Sequence, residues 1–395
     1  MSALLSVAEA QARLLALAPA LPVETAPLVA AAGRWAAEDI SALRTQPAAD
    51  LSAMDGYAIR FGELPGPWTV AGSSAAGGGL GRALLPGEAA RIFTGAPVPG
   101  GADTIIVQEE AVCEDGRVRL DGEGPGTRGQ NVRLAGNDFR QGDRLIAAGE
   151  ALTPARIALA AVGGHGILPV RRKPRIILIS TGSELVPPGA AVEGAMLPSS
   201  NAPMLAAMLG RWPVIVEDRG IVRDDLDAIA VAFAAASNAD IIVTTGGASV
   251  GDHDLVRPAL QKAGASLDFW RVAMKPGKPL MAGKLGEAIM LGLPGNPVSA
   301  FVTAQLFLLP LVAHMLGSAL PVSSSSPLPL DGTLPPTGKR AEYIRGTRTP
   351  AGARPLGQQD SAALAALAAA DLLIIRPPGS RAAMAGEMVD TLPLA

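Results

Sequence analysis

Between Arg175 and about Leu316, strand-length apolar runs alternate with helix-length runs. The strand-like runs are RIILIS, VIVEDR, ADIIVTT, LDFWRVA and EAIMLG, and the helix-like runs are NAPMLAAMLG, DDLDAIAVAFAAAS, DHDLVRPALQKAG and NPVSAFVTAQLFLLPLVAHML. Continuous apolar strands that alternate with helices are typical of a parallel sheet covered on both faces. The pattern therefore predicts a doubly wound, mostly parallel α/β domain over residues 175–317.

The rest of the chain has a different pattern. Short β-like runs, WTV, ARIF, DTIIVQ and VRL, predict a β-rich domain over residues 45–133. Ser6 and Glu9 form a capping-box pattern, which predicts an amphipathic helix near the start of the chain. Residues 318–330, SALPVSSSSPLPL, lack periodicity and are typical of a linker. The runs EYIRG and LLIIRP predict a small C-terminal β barrel or sandwich over residues 331–395.

Composition narrows the function classes. A formal net charge of −3 provides no broad positive field, so neither nucleic acid nor an anionic membrane is expected as a partner. Cys113 is the single cysteine, which excludes a disulfide framework and a thiolate-rich metal site and fits a reducing cytoplasm. The N-terminal segment lacks the pattern of a secretory signal. The run AFVTAQLFLLPLVAHML is interrupted by polar residues and proline, and we interpret it as a buried helix.

The segment TTGGASVGDHD follows a predicted strand and carries the first candidate chemistry. Gly246 and Gly247 allow a ligand to approach the backbone, and the start of the next helix favours an anion such as phosphate. Asp252 and Asp254 could then hold a divalent cation that bridges phosphate and protein. Alternatively, the two carboxylates only cap the helix and complement its dipole. On this motif alone the two interpretations are about equally supported.

Two further turns are suited to an anion. MKPGKP places Lys275 and Lys278 on a rigid turn, where they could hold a small oxyanion as point charges. Solvated surface lysines are the alternative. In LPGNPVSA, Asn296 and Pro297 begin a long helix with Ser299 in its first turn, although an ordinary capped helix start explains this segment as well.

Two glycine-rich near matches are excluded as nucleotide sites. GKPLMAGKL has the wrong spacing for a P-loop and carries Leu285 where Ser or Thr is needed. GPGTRG, with Gly124, Gly126 and Gly129, matches a dinucleotide-binding pattern but does not precede an apolar helix.

The motifs SAMDGYA, RIFTGAPVP, STGSEL, TGGASVGDHD, KPGKP and LPGNPVSA, in this order, resemble the MoeA family of molybdopterin molybdenumtransferases, which includes the E domain of gephyrin. The resemblance extends from about residue 50 to residue 361. It implies an α/β domain similar to the adenylylating partner protein (MogA-like), a β-rich domain, an elongated linking domain built from residues 1–44 and 134–174, and a C-terminal β barrel. It also implies a homodimer.

The resemblance implies an enzyme that combines adenylylated molybdopterin with molybdate. Mg²⁺ would assist hydrolysis of the adenylate, and the products would be molybdenum cofactor and AMP. A molybdopterin adenylyltransferase and apo-molybdoenzymes are the implied protein partners. Two alternatives stay open: the chain could itself adenylylate molybdopterin, or it could be an interaction scaffold of the gephyrin type.

The resemblance also implies roles for individual residues, carried over by motif. Molybdate would be held by Lys275, Lys278, Ser299, Arg345 and Ser361. The catalytic set would be Asp55, Thr94, Glu184, Asp224 and Asp254, with Glu184, Asp252 and Asp254 as metal ligands. Phosphate and pterin would contact Gly246, Gly247, Ser249, Pro294 and Asn296. The chain departs from the family pattern at Leu51, where Asn is usual, and at Ser183, where Asp is usual.

Overall fold

A computed structural model describes residues 4–246 and 255–394, and the fold is reported for this part of the chain. Its α-helices are α1 (Val7–Leu17), α2 (Leu28–Ala31), α3 (Pro154–Val162), α4 (Asn201–Leu209), α5 (Leu226–Ala235), α6 (Val256–Lys262), α7 (Pro297–Thr303), α8 (Leu309–Met315) and α9 (Leu364–Ala368). A π-helical turn, Ala304–Leu308, joins α7 to α8, and short 3₁₀ turns lie at Phe61–Glu63 and Gln108–Glu110.

The strands are numbered in chain order. In the first half of the chain they are β1 (Val23–Pro27), β2 (Ile40–Ser41), β3 (Leu51–Ser52), β4 (Gly56–Ile59), β5 (Trp68–Ser74), β6 (Glu88–Ile92), β7 (Thr104–Val107), β8 (Ala111–Glu114), β9 (Arg117–Leu120), β10 (Val132–Arg133), β11 (Arg144–Ile146), β12 (Ile167–Arg171) and β13 (Arg175–Thr181). In the second half they are β14 (Leu185–Val186), β15 (Leu197–Pro198), β16 (Ile215–Val222), β17 (Ile241–Thr245), β18 (Ser266–Arg271), β19 (Met274–Lys275), β20 (Pro279–Leu285), β21 (Ala288–Leu293), β22 (Ser326–Pro329), β23 (Ala341–Thr349), β24 (Gly352–Pro355), β25 (Leu372–Arg376) and β26 (Met388–Pro393).

The α/β domain contains a six-stranded sheet in the order β16-β13-β17-β21-β20-β18. The four strands from β16 to β21 are parallel, as the apolar pattern predicts. Helices α1, α4, α7 and α8 contribute to the core on one face, while α5 and α6 pack on the other face. The α/β prediction is therefore confirmed, although the sheet is mixed at one edge.

Strand β20 was missed by the sequence analysis. It lies within the rejected P-loop match GKPLMAGKL and is antiparallel to both β18 and β21. Its central glycine explains its place: a Cβ at Gly283 would lie 2.2 Å from the Ser266 carbonyl oxygen of the neighbouring strand. The glycine spacing thus serves close strand packing and not phosphate binding.

The helical segment Pro297–Met315 is apolar enough and long enough to cross a membrane, but 78% of the apolar window is buried inside the protein. Such burial is typical of a core helix, and the sequence-based interpretation of this run as a buried helix is confirmed. Pro310 has no N–H to donate to the carbonyl of Leu306. The Gln11 side chain from α1 donates to this carbonyl instead, at 2.7 Å. The Leu306 carbonyl in the π-helical turn therefore receives its hydrogen bond from a residue near the other end of the chain.

The predicted capping box of α1 is present, because Ser6 and Glu9 exchange side-chain-to-backbone hydrogen bonds. Ala10 and Leu14 of this helix are buried in the core of the α/β domain. The other parts of residues 1–44 pack elsewhere: a separate core joins residues of 26–40 to residues of 146–170. There, β1 pairs with β12 and β2 pairs with β11. The predicted domain boundaries stay predictions.

Two further six-stranded sheets complete the fold. The β-rich segment has the strand order β7-β4-β6-β5-β9-β8. The C-terminal segment has the order β19-β23-β25-β26-β22, with β24 paired to β23. The last part of the Pro/Ser segment, residues 326–329, is strand β22, which pairs with β26, although the sequence pattern predicted no strand there. The interpretation missed it because a two-proline strand lacks alternation. The C-terminal barrel remains a prediction.

Candidate functional site

A cavity of about 730 Å³ lies where the α/β domain meets the C-terminal sheet. The two units are joined by main-chain pairing, because β19 runs parallel to β23 with Lys275 opposite Glu342. The cavity brings together all the residues expected to hold molybdate, namely Lys275, Lys278, Ser299, Arg345 and Ser361. These residues are spread over more than eighty positions of the sequence.

The turn between the two lysines is held by a glycine. Gly277 has a φ of +100°, and a Cβ there would lie 2.5 Å from the Cγ2 atom of Thr303 in α7. The turn therefore packs directly onto the helix that carries Ser299. Both lysines are exposed, which leaves their ammonium groups at the cavity. The alternative of unrelated surface lysines is disfavoured because both of them line one cavity.

Helix α7 begins beside this turn. Asn296 occupies the N-cap position but forms no side-chain capping hydrogen bond. Its Oδ1 atom is buried and has no hydrogen-bond partner among the described residues. Ser299 is buried in the first turn of the helix and lines the cavity. An ordinary capped helix start does not account for the unpaired Asn296 oxygen, which is suited to a ligand donor.

Arg345 is only 1% exposed, and its guanidinium donates to three main-chain carbonyl oxygens. The acceptors are Gln358 at 3.1 Å, Asp360 at 2.9 Å and Ala363 at 3.2 Å. Burial lowers the pKa of Arg345, and the nearby Asp360 carboxylate opposes this effect. Most of the guanidinium is thus committed to the loop that carries Ser361.

The Ser361 loop is also tied to α7. The backbone N–H of Val298 donates to the Ser361 carbonyl oxygen at 3.3 Å. Gln359 adds a reciprocal pair with the backbone of Arg345, at 3.0 Å and 2.9 Å. Arg345 therefore fixes the position of Ser361 relative to Ser299.

A second group of expected residues lies at the carboxyl ends of β13, β17 and β21. Gly246 has a φ of +95°, and a Cβ there would lie 2.2 Å from the Thr181 carbonyl oxygen. The Asn201 amide donates to the Gly295 carbonyl at 2.7 Å, which fixes the loop between Pro294 and Asn296. Gly247, Ser249, Asp252 and Asp254 lie outside the described residues. Of the predicted phosphate site, the structure therefore describes Gly246 and the loop from Pro294 to Asn296.

Glu184 and Asp224 lie on neighbouring loops at the same edge, and both are exposed. Ser183, at the position where the family usually has Asp, forms a reciprocal pair with Asp224. The Ser183 N–H donates to the Asp224 carboxylate at 2.9 Å, and the Asp224 N–H donates to the Ser183 hydroxyl at 3.1 Å. Ser183 thus links the two loops with a hydroxyl group and contributes no carboxylate. No cluster of three potential metal-ligating side chains occurs within residues 4–246 and 255–394.

Asp55 and Thr94 meet in the β-rich segment. The Asp55 carboxylate accepts from the Thr94 N–H at 2.7 Å and from its hydroxyl at 2.8 Å. These bonds, and then the charge of Arg91, hold the pKa of Asp55 below its ordinary value. The pair is absent from the described lining of the 730 Å³ cavity. The structure brings the two residues together but does not place them at the cavity of the same chain.

The sequence analysis missed other residues of the cavity. Glu342 and Arg340 line it beside Lys275, and Tyr343 is a buried wall residue whose pKa is raised by burial to about 12. The sequence signal for Glu342 and Tyr343 was their place next to Arg345 in the run EYIRG, and Arg340 lies two residues before that run.

Comparisons with known proteins match the chain in three successive segments. Residues 5–164 match the MoeA N-terminal region (domain I and II), residues 177–314 match a probable molybdopterin binding domain, and residues 327–394 match the MoeA C-terminal region (domain IV). A molybdopterin molybdenumtransferase of Staphylococcus aureus is 32% identical over 98% of this chain and 94% of its own length. The chain belongs to the molybdopterin molybdenumtransferase family.

A Haemophilus influenzae relative with the same name is 39% identical over 73% of this chain and 71% of its own length. Among solved structures, a molybdopterin biosynthesis moeA protein from Pyrococcus horikoshii superimposes with a TM-score of 0.86 and 27% identity, covering 99% of this chain and all of that one. As a molybdopterin molybdenumtransferase, the chain is an enzyme, and molybdenum insertion into molybdopterin is the activity that its family supports. The family prediction is confirmed.

Proposed function

We propose that this molybdenumtransferase acts on adenylylated molybdopterin and molybdate, and that it releases AMP together with molybdenum cofactor. The main support is the single cavity that collects both lysines, Ser299 and the Ser361 loop. A tetrahedral dianion requires cationic and hydroxyl donors from several directions, and this cavity offers both kinds. The adenylylated substrate and the release of AMP follow from the resemblance of the motifs to the family.

In this proposal the residues have separate tasks. Lys275 and Lys278 supply positive charge, Ser299 supplies a hydroxyl donor, and Arg345 holds the loop that presents Ser361. The pterin phosphate would lie against Gly246 and the loop that Asn201 fixes. Oriented molybdate would then be close to the reacting sulfur and phosphate groups of the substrate, because positioning supplies much of the rate enhancement in such transfers.

A divalent cation, Mg²⁺, is part of the proposal. Glu184 and Asp224 fit a hard cation because carboxylate oxygens are its preferred ligands, and Mg²⁺ commonly uses only one or two of them. The Glu184 carboxylate has no ion pair or hydrogen bond within residues 4–246 and 255–394, so it is free to coordinate. When bound, the cation would offset negative charge on the phosphoanhydride. Asp252 and Asp254 stay proposed ligands on the motif alone.

The proposal also includes a homodimer that works in the cytoplasm, receives substrate from a molybdopterin adenylyltransferase and delivers product to apo-molybdoenzymes. A dimer would explain why Asp55 and Thr94 lie outside the cavity of their own chain, because a partner subunit could present them there.

We expect molybdate-dependent AMP release when the purified protein is given adenylylated molybdopterin and Mg²⁺. AMP would be quantified by chromatography with and without molybdate, and with ATP plus plain molybdopterin in a parallel reaction. AMP formation in the parallel reaction alone would contradict the transferase proposal and support an adenylyltransferase.

Replacing Arg345 by lysine is expected to impair molybdate use as much as replacing it by glutamine. Lysine keeps the charge but cannot bridge three carbonyl groups, so the Ser361 loop loses its support in both variants. Loss of the Ser361 contact should raise the KM for molybdate about two- to tenfold.

The control is Arg348→Lys, an exposed position on the same strand, which should leave the KM unchanged. If Arg345→Lys kept nearly normal kinetics while Arg345→Gln lost them, the charge itself would be the important property and Arg345 would contact the anion directly.

A further inference from the structure

Glu342 is an acidic residue in a cavity that otherwise suits an anion. Its carboxylate Oε1 lies 3.7 Å from Lys275 Nζ. The Glu342 side chain is 22% exposed and that of Lys275 is 59% exposed, so the carboxylate is the more fixed partner. Main-chain pairing of β19 with β23 places the two residues opposite each other, and the Ala341 N–H donates to the Ala273 carbonyl at 2.9 Å. The pair is therefore set by the backbone.

The cavity lining contains more basic than acidic side chains. Its described lining contains four basic side chains and two acidic ones, which gives a formal charge of +2. The basic residues are Lys275, Lys278, Arg340 and Arg345, and the acidic residues are Glu342 and Asp360. The Asp360 carboxylate already accepts from the Ala362 N–H at 2.7 Å and belongs to the Ser361 loop. Glu342 is thus the acid that faces a lysine expected to bind the substrate anion.

We propose that Glu342 sets the affinity and charge selectivity of this cavity by competing with the oxyanion for Lys275. The inference rests on the proposed function, because it takes a tetrahedral dianion as the occupant. In the empty cavity Glu342 holds Lys275. When a dianion enters, Lys275 turns to it, and the cost of breaking the Lys275–Glu342 pair lowers the affinity. The net positive charge of the lining favours a dianion over a monoanion of the same shape, and Glu342 reduces this preference.

The competing role and a purely structural role predict opposite results. If Glu342 competes for Lys275, Glu342→Gln should tighten molybdate binding. If Glu342 only positions Lys275 for the anion, the same substitution should weaken binding. Partly exposed ion pairs are weak, so the expected tightening is about 1.5- to fivefold. Glutamine is close in size to glutamate, and the strand pairing involves the backbone alone.

The test is isothermal calorimetry of sodium molybdate with the full-length protein and matched variants. Glu342→Gln should lower the Kd for molybdate, while Glu387→Gln, a carboxylate of the C-terminal segment outside this cavity, should leave it unchanged. In a Lys275→Met background, Glu342→Gln should produce little further tightening, because the ammonium group for which Glu342 and the anion compete is absent. Weaker or unchanged binding by Glu342→Gln, or full tightening in the Lys275→Met background, would overturn the proposal.

A second anion tests charge selectivity. Perrhenate is tetrahedral like molybdate but carries a single negative charge. The wild-type protein should bind molybdate more tightly than perrhenate, and Glu342→Gln should improve molybdate binding more than perrhenate binding. Equal improvement for both anions would count against an effect of Glu342 on charge selectivity.

The same titrations separate the two proposals. A wild-type protein that binds molybdate and releases AMP, but whose Glu342→Gln variant binds no more tightly, would refute the role of Glu342 alone. A wild-type protein that fails to bind molybdate would contradict the proposed function itself.

Discussion

Replacing Lys278 by alanine is expected to weaken molybdate use by roughly ten- to more than a hundredfold while the protein stays folded. The lysine is exposed on a turn and contributes little to the core, so its loss removes charge from the cavity without opening a hole. A charge-assisted contact contributes about 1.5–3 kcal/mol, which corresponds to this range of affinity. The measurement is the rate of AMP release as a function of molybdate concentration, with circular dichroism to verify folding.

The matched control is Lys173→Ala. Lys173 is an exposed lysine just before β13 and outside the cavity lining, and it forms no ion pair with any residue that the structure describes. It should behave like the wild type. An unchanged molybdate dependence in Lys278→Ala would remove Lys278 from the proposed anion site.

Mixing two impaired variants, Asp55→Ala and Lys278→Ala, is expected to restore part of the activity at limiting molybdate. Asp55 lies outside the cavity that contains Lys278 in the same chain, so the proposed homodimer would bring the two together across subunits. In a mixed dimer, one site then has both residues intact and the other site lacks both. Random mixing makes about half of the dimers mixed, so roughly a quarter of all sites should work.

A second mixture provides the negative control. Lys278 and Ser361 line the cavity of one chain, so every site in a Lys278→Ala and Ser361→Ala mixture has a defect and no recovery is expected. Both mixtures would be co-refolded in equal amounts and assayed for AMP release, with subunit exchange verified by differently tagged chains. Absence of recovery in the first mixture would reject assembly across subunits.

Much of the α/β domain could be predicted because its signals are local. Most strands and helices there are continuous runs with their own periodicity, and the structure contains them. Strand β20 was missed because Gly283 and Lys284 interrupt its apolar run, and strand β22 was missed because its two prolines hide alternation. In both cases the neighbouring strand determines the structure, and a single-sequence pattern carries little information about that neighbour.

The site was predictable in its composition but not in its geometry. Motifs identified Lys275, Lys278 and Ser299, and the structure brings them together. The role of Arg345 depends on the three main-chain carbonyl groups around its buried guanidinium, and the residue type alone does not reveal those neighbours. Glu342 became visible only through the pairing of β19 with β23, two strands far apart in sequence that meet over two residue pairs.

The bond between Gln11 and the Leu306 carbonyl has a consequence for the order of folding during synthesis. The two residues are 295 positions apart, so α1 leaves the ribosome long before its partners exist. The strands of the β-rich segment can pair in the meantime, because their partners are near in sequence. Leu14 of α1 cannot be buried until β20, the π-helical turn and α8 have been synthesised. The docking of α1 is therefore a late, non-local step, and the nascent chain is most exposed to aggregation before that step.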